Sequence, residues 1–468
     1  MSKIPVKNVT PEVKSLYVPR EKIQVREIHG LFQKIRSYSL WGLMALFFAT
    51  PWLTWDDRQA VLWDLPARQF HIFGITFWPQ DFFLLSGLLI IAAYGLFTVT
   101  NLAGRVWCGY TCPQSSWSFV FMWIEEKIEG TRNQRIKMDN APMSKEKLIR
   151  RSAKHLVWLL LSLATGITFI GYFSPIREMV PNLVTFALNS WEIFWIGFFT
   201  LATYLNAGWL REQVCIHMCP YARFQSVMFD QDTLIVSYDE KRGEGEKGRG
   251  PRKKGVDPQA EGLGDCIDCY LCVQVCPTGI DIRDGLQYQC IGCALCVDAC
   301  DSIMDKMGYE RGLVRYTTEH ELEGGKTNFF RPRLVGYATV LLIMMSALVY
   351  AMASRTAVEV DVIRDRGALY QLTANDTVRN SYTLEMMNMS QHEHTYRIEV
   401  LGLPASFISD IPKLITLQSN ELRAYPISIE VDPADLTESK SNIKFVVYDE
   451  ATQTEVSSEE SRFIAPLN

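Results

Sequence analysis

The sequence predicts an α-helical polytopic membrane protein with five spans, a cysteine-rich insert before the last span, and an all-β domain after it. Three observations carry that prediction. Five windows of about 18 or more residues are nearly free of charge, long enough to cross a ~30 Å hydrocarbon layer at ~1.5 Å per residue. All 12 Cys of the 468-residue chain fall into regularly spaced motifs. Beyond the last apolar window the pattern changes to alternation at period two. With 48% apolar and 12% aromatic residues, the composition excludes a disordered chain. Twelve Cys in this length are also too dilute for a small disulfide-stapled secreted scaffold.

The five windows run from Tyr38 to Trp55, Phe82 to Gly104, His155 to Ile176, Trp191 to Leu210 and Leu334 to Ser354. Trp41, Trp55, Trp158, Trp191, Trp209 and Tyr350 sit near their ends, as an interfacial aromatic belt does. Lys plus Arg number eight in 1–37, two in 56–81, ten in 105–154, one in 177–190 and sixteen in 211–333. This rich–poor alternation places the N-terminus in the cytoplasm and residues 356–468 outside. The first window is followed by no small-residue cleavage site and reads as an uncleaved anchor. The expected organisation is a cytoplasmic segment 1–37, a four-span part 38–233, a cytoplasmic domain 234–333, a fifth span 334–354 and an outer domain 355–468.

The outer region holds 9 Lys plus Arg against 18 Asp plus Glu. It alternates over Ala357 to Ile363, Tyr382 to Met389, Tyr396 to Leu401, Tyr425 to Val431 and Ile443 to Tyr448, with turns at Ala374-Asn375-Asp376 and Asp432-Pro433. About seven short strands over ~110 residues suggest an immunoglobulin-like sandwich.

Eight Cys repeat one spacing twice: Cys266-x2-Cys269-x2-Cys272-x3-Cys276-Pro277, then Cys290-x2-Cys293-x2-Cys296-x3-Cys300. This is the run of a two-cluster ferredoxin, in which three closely spaced thiolates wrap one cubane and the fourth reaches the other. One 4Fe–4S cluster then takes Cys266, Cys269, Cys272 and Cys300, and the second takes Cys290, Cys293, Cys296 and Cys276. Paired zinc sites also use Cys-x2-Cys but do not repeat a four-Cys block.

The remaining four form Cys108-Gly-Tyr-Thr-Cys112-Pro113 and Cys215-Ile-His-Met-Cys219-Pro220, after the second and fourth windows. Each follows an Arg (Arg105, Arg211) and precedes an amphipathic stretch, so the membrane part reads as a two-span pseudo-repeat. A helical i, i+4 spacing puts both sulfurs of a pair on one face. Two such pairs make either reversible dithiols or a soft-metal site for Cu(I), zinc or iron–sulfur, with His217 and Met218 as further soft ligands. The plain alternative is four small buried side chains that precede a Pro.

Other signals are weaker. Gly243-x-Gly245-x-x-Gly248 matches a dinucleotide pattern, but Arg249-Gly250-Pro251-Arg252-Lys253-Lys254 follows it and opens no helix, leaving a flexible basic loop. That loop is explained by orientation and anionic lipid, and nucleic acid is not expected as a partner. Met386, Met387, Met389, His392 and His394 could hold copper, yet alternation favours a core strand and a polar turn. His71 and His155 face no second His across the spans, which argues against a haem held by two His.

With these motifs in place, the chain resembles the FixG/RdxA/CcoG family of accessory proteins of cbb3-type cytochrome oxidases. The resemblance rests on Gly264-Asp265-Cys266-Ile267-Asp268-Cys269, on Cys276-Pro277-Thr278-Gly279-Ile280-Asp281-Ile282-Arg283, and on Asp298-Ala299-Cys300-Asp301-Ser302-Ile303-Met304. Gly312-Leu313-Val314-Arg315-Tyr316 and the two membrane motifs, Trp107 to Pro113 and Cys215 to Pro220, extend it. It implies a bacterial inner-membrane protein with two 4Fe–4S clusters, a periplasmic immunoglobulin-like domain and a role in copper delivery by reducing Cu(II) to Cu(I). Oxidase subunits or copper chaperones, a soluble electron donor and the bilayer are the expected partners, and a homo-oligomer is compatible with the sequence. Two other readings stay open: a quinol-linked membrane ferredoxin subunit, and a non-enzymatic oxidase assembly scaffold.

Overall fold

The computed structural model describes residues 22–56, 58–251, 262–356, 358–374, 376–390, 392–404, 406–436 and 438–466. The start of the N-terminal segment, Arg252 to Lys254 of the basic loop, and Asn375 of the expected turn therefore lie outside the described residues.

Among the described residues, four helices are long and apolar enough to cross a membrane: Pro79–Ala103, Lys145–Ile170, Ser190–Leu210 and Pro332–Ala353. Leu85, Leu88 and Leu89 on one of them, and Leu342, Ile343 and Val349 on another, are exposed, which suits a lipid-facing surface. The first expected span differs. Its helix runs Leu31–Ala49, seven residues earlier than expected at the start, and carries Lys34 and Arg36. It stops before Pro51, where a single 3-10 turn and a short strand pair take over. The third span also ends early, at Ile170, and Ile176 begins a separate helix to Val184 behind Pro175. In the fourth, Tyr204–Leu210 is π-helical, a local widening that recurs at functional sites.

The chain divides into two compact units. The first combines residues up to Leu46 with Leu96–Gly166 and Ile193–Val335; the second combines Phe47–Gly95, Ile167–Glu192 and Gly336 onward.

In the second unit, Val61–Asp64, Gln69–Ile72 and Ile75–Phe77 form a three-stranded antiparallel meander. His71 is buried there, its Nδ1 2.9 Å from Thr76 Oγ1. Burial, reinforced by the Arg58 charge, lowers its pKa to about 4. The unfolded chain binds a proton near pH 6.5, so between about pH 6.5 and 4 it holds more protons than the folded hairpin, and stability falls as pH falls. Proteolytic nicking at 54–78 is expected to accelerate between pH 7 and 4, and His71→Gln is expected to flatten that dependence.

The outer sandwich contains β1 (Val358–Arg364), β2 (Gln371–Leu372), β3 (Val378–Asn388), β4 (His394–Leu401), β5 (Ile408–Ser409), β6 (Ile415–Leu417), β7 (Leu422–Val431), β8 (Lys440–Asp449) and β9 (Glu455–Ile464). One sheet has the order β5-β7-β3-β1 with β2 on β3, and the other β6-β4-β8-β9. Two of the nine described strands have only two residues; of the seven longer ones, five coincide with the alternating runs, and β6 and β9 bring the number to the expected seven. Tyr382 and Phe445 meet between the sheets at 5.6 Å. Buried Asn380 ties them together, donating to the Ile464 carbonyl at 2.8 Å. Alternation breaks at the end of β3, where Met386, Met387 and Asn388 are all buried.

Candidate functional site

Both four-Cys blocks fold in the same local way. The residue after the second Cys, Tyr270 in one and Ala294 in the other, is left-handed (φ +56° and +57°) and turns the chain into a helix carrying the third Cys. The first helix, Leu271–Gln274, stops after one turn, and Cys276 leaves it ahead of Pro277. The second, Leu295–Met307, continues and carries Cys300 one turn beyond Cys296. The fourth thiols therefore trade places. Cys266, Cys269, Cys272 and Cys300 line one cavity of about 390 Å³. Cys276, Cys290, Cys293 and Cys296 line another of about 350 Å³, which Cys272 also touches.

The thiol electrostatics agree with this grouping. Burial pushes Cys300 up to about 12, reinforced by Cys272 and Cys266. Burial pushes Cys290 up to about 12, reinforced by Cys293 and Cys276. Burial and the thiols around it hold Cys296 well above the usual thiol range. A metal entering either cavity must displace these protons. The donor sets fit 4Fe–4S clusters: four soft thiols per cavity, apolar walls such as Ile280, Ile282 and Leu313, and two similar volumes. Zinc ribbons pair two ligands with two distant ones and do not repeat a four-Cys block. Arg283 borders the first cavity, paired with Asp281 at 2.5 Å and lying 4.3 Å from the Tyr270 ring centre. Its charge offsets that of the thiolates.

The membrane motifs are not single helical faces. Cys108 lies in the short helix Val106–Tyr110, whereas Cys112 is extended and caps the helix Pro113–Glu129. Cys215 lies in the π-helical turn Val214–Met218, and Cys219 is extended and caps Pro220–Met228. The i, i+4 expectation fails because Pro steers the residue before it away from helical backbone. The four thiols nevertheless converge: Cys215 is pushed up to about 12 by burial, then by the nearby thiols of Cys112, Cys108 and Cys219. Arg105 Nη2 approaches Cys108 Sγ at 3.9 Å. His217 and Met218 are both exposed.

The first membrane motif is docked on the second Cys block. Cys108 and Cys293 belong to one buried cluster with Ile291, Leu295 and Ala299. Tyr110 donates to the Cys293 carbonyl at 3.2 Å, Tyr316 donates to the Gly292 carbonyl, and buried Arg36 donates to the Gly109 carbonyl at 3.1 Å. A Cβ on Gly109 would lie 3.0 Å from Cys293 Cα and Ile291 O, so this contact requires glycine. The Cys spacing does not reveal these partners; only the Gly312 to Tyr316 run hinted at Tyr316.

In the helix Pro113–Glu129, which Cys112 caps, fully buried Glu125 faces Arg211 at 2.8 Å, Lys154 and Arg135 at 3.5 Å each, and Lys22. Those cations outweigh desolvation and hold its carboxyl far below the usual range. Glu125→Gln leaves several cations without their counterion and is expected to cost about 3–5 kcal/mol, read as a lower melting temperature with iron content per folded molecule unchanged.

Residues 210–319 match the family model described as a 4Fe-4S dicluster domain, and residues 348–466 match the one described as an IG-like fold at the C-terminus of FixG. The nitrogen fixation protein FixG of Rhizobium meliloti is 37% identical over 428 residues, covering 84% of this chain and 81% of that protein. The chain belongs to the FixG/RdxA family. Protein RdxA of Cereibacter sphaeroides is 40% identical over 403 residues, covering 83% and 84% of the two chains. The crystal structure of a FixG-related protein from Vibrio parahaemolyticus aligns with 24% of this chain and all of that one, at 29% identity and a TM-score of 0.22. Membership in the FixG/RdxA family, together with the dicluster domain and the apolar helices, makes this a membrane-bound iron–sulfur redox protein.

Proposed function

We propose that the protein is a cupric reductase of the bacterial inner membrane, supporting copper delivery and the assembly of cbb3-type cytochrome oxidase. The observation that carries this is the convergence of Cys108, Cys112, Cys215 and Cys219 at the end of two apolar helices, with Cys108 packed in the same core as Cys293. In this reading Cys266, Cys269, Cys272 and Cys300 hold one 4Fe–4S cluster, and Cys290, Cys293, Cys296 and Cys276 the other. When bound, such clusters supply one electron at a time. The chemistry at the thiols is Cu(II) plus one electron giving Cu(I), and thiolates favour the product because Cu(I) is the softer ion.

The Tyr110 hydrogen bond to the Cys293 carbonyl and the shared apolar core hold Cys108 against the second block, and Arg105 lowers the cost of a thiolate there. Five passes, with the N-terminus and both Cys blocks in the cytoplasm and the sandwich in the periplasm, are supported by the Lys/Arg alternation. A soluble donor reaching the half-exposed Tyr270 side of the first block would supply the electrons.

Protein purified without oxygen, reduced and freed of reductant, then mixed with Cu(II) and a Cu(I)-specific chelator, is expected to yield about two Cu(I) per molecule in one turnover. No Cu(I) above a zinc-loaded or iron-depleted control would refute the assignment.

A further inference from the structure

The two four-thiol cavities stand in different electrostatic surroundings. At the first, the Arg283 guanidinium is held by two carboxylates, Asp281 at 2.5 Å and Asp268. A further carboxylate, Asp301, directly follows Cys300 and accepts the Gly312 N–H at 3.0 Å. Cys269 and Tyr270 are exposed on this side, so water screens the charges there.

At the second, two arginines are buried without a carboxylate. Arg36 is 3% exposed and donates to the carbonyl of Gly109, where a Cβ would lie 3.0 Å from Cys293 Cα. Arg105 is 7% exposed and donates to the Tyr288 carbonyl, two residues before Cys290. Its own carbonyl carbon would lie 3.1 Å from a Cβ on Gly292. Neither arginine forms an ion pair among the described residues. Asp298, the carboxylate on the second block's own helix, accepts the N–H groups of Phe32 and Gln33, and the positive end of that helix offsets its charge. Two phenols add donors: Tyr110 to the Cys293 carbonyl and Tyr316 to the Gly292 carbonyl.

We propose that the second Cys block is the electron-accepting end of the dicluster domain, its cluster set at the higher reduction potential by Arg36 and Arg105 with help from Tyr110 and Tyr316. The inference rests on the assignment of one 4Fe–4S cluster to each block, and it holds whether or not copper is the final acceptor. Reduction adds negative charge, which nearby cations and donors favour and nearby carboxylates oppose. Burial alone works the other way, because the more highly charged state loses more solvation. The same low dielectric strengthens the two arginine charges at the second cavity, whereas water weakens those at the first. An electron given by a soluble one-electron donor at the exposed Cys269 edge then moves downhill towards Cys293, oxidising the first cluster and reducing the second with no bond made or broken. Cys108 is packed where that electron arrives.

The test is a dithionite titration of the full-length protein, purified without oxygen and read by electron paramagnetic resonance. Cys300→Ala and Cys276→Ala identify which signal belongs to which block. The second-block signal is expected to appear first, at the less negative potential. Arg36→Gln is expected to move that midpoint to a more negative potential and leave the first-block midpoint in place, and Arg36→Lys to restore most of it. Tyr110→Phe with Tyr316→Phe, which keeps both rings, is expected to move it the same way by a smaller amount. Wild-type protein that holds no iron would overturn the cluster assignment, and this inference with it. Iron-replete protein whose first-block signal appears first, or equal shifts of both midpoints in Arg36→Gln, would overturn the inference alone.

Discussion

Cys108→Ser combined with Cys215→Ser is expected to slow Cu(II) reduction by at least about tenfold while iron and sulfide stay at the wild-type level. The two substitutions take one thiol from each membrane motif and so break the convergence around Cys215. Neither residue lines the two four-thiol cavities. Serine keeps the size of the side chain, and both positions are ones where burial already disfavours the thiolate. A rate that does not change, read with a Cu(I)-specific chelator, would remove these thiols from the pathway and leave the dicluster domain to reduce copper by itself.

The second large effect distinguishes the two cavities. Cys300→Ala is expected to abolish the cluster signal belonging to Cys266, Cys269 and Cys272, and Cys276→Ala the signal belonging to Cys290, Cys293 and Cys296. In each variant iron falls from about eight to about four per molecule, and the surviving electron paramagnetic resonance signals of the two variants differ. Identical residual spectra would contradict the exchange of fourth ligands. The effect on copper should also differ. Cys276→Ala disturbs the block on which Cys108 is packed, so it should slow Cu(II) reduction more.

The two four-Cys blocks could be read because their spacing is local in sequence, and the same turn recurs at Tyr270 and Ala294. The pseudo-repeat offered a meeting of Cys108, Cys112, Cys215 and Cys219, but the packing of separate helices that brings them near one another cannot be read from spacing. Their local backbone was readable and was misread: Pro113 and Pro220 required an extended residue before them, which rules out a shared helical face. The early start of the first helix was hidden by Lys34 and Arg36, and Arg36 is accommodated by the Gly109 carbonyl 73 positions away. In the sandwich, β9 escaped notice because Glu455–Ile464 is polar, as suits an edge strand, and β6 because it is only three residues long.

Asp298, within the second Cys block, accepts hydrogen bonds from the backbone N–H groups of Phe32 at 3.2 Å and Gln33 at 2.7 Å, and so seals the beginning of the first long helix. Gly30 stands where any side chain would strike that carboxylate. The two partners are 266 positions apart. At ~5–20 residues per second of translation, the ribosome needs roughly 13–53 s to deliver the carboxylate after the helix has emerged. During that interval the nascent helix has no latch, so a chain truncated before the second block is expected to be an early target for membrane proteases.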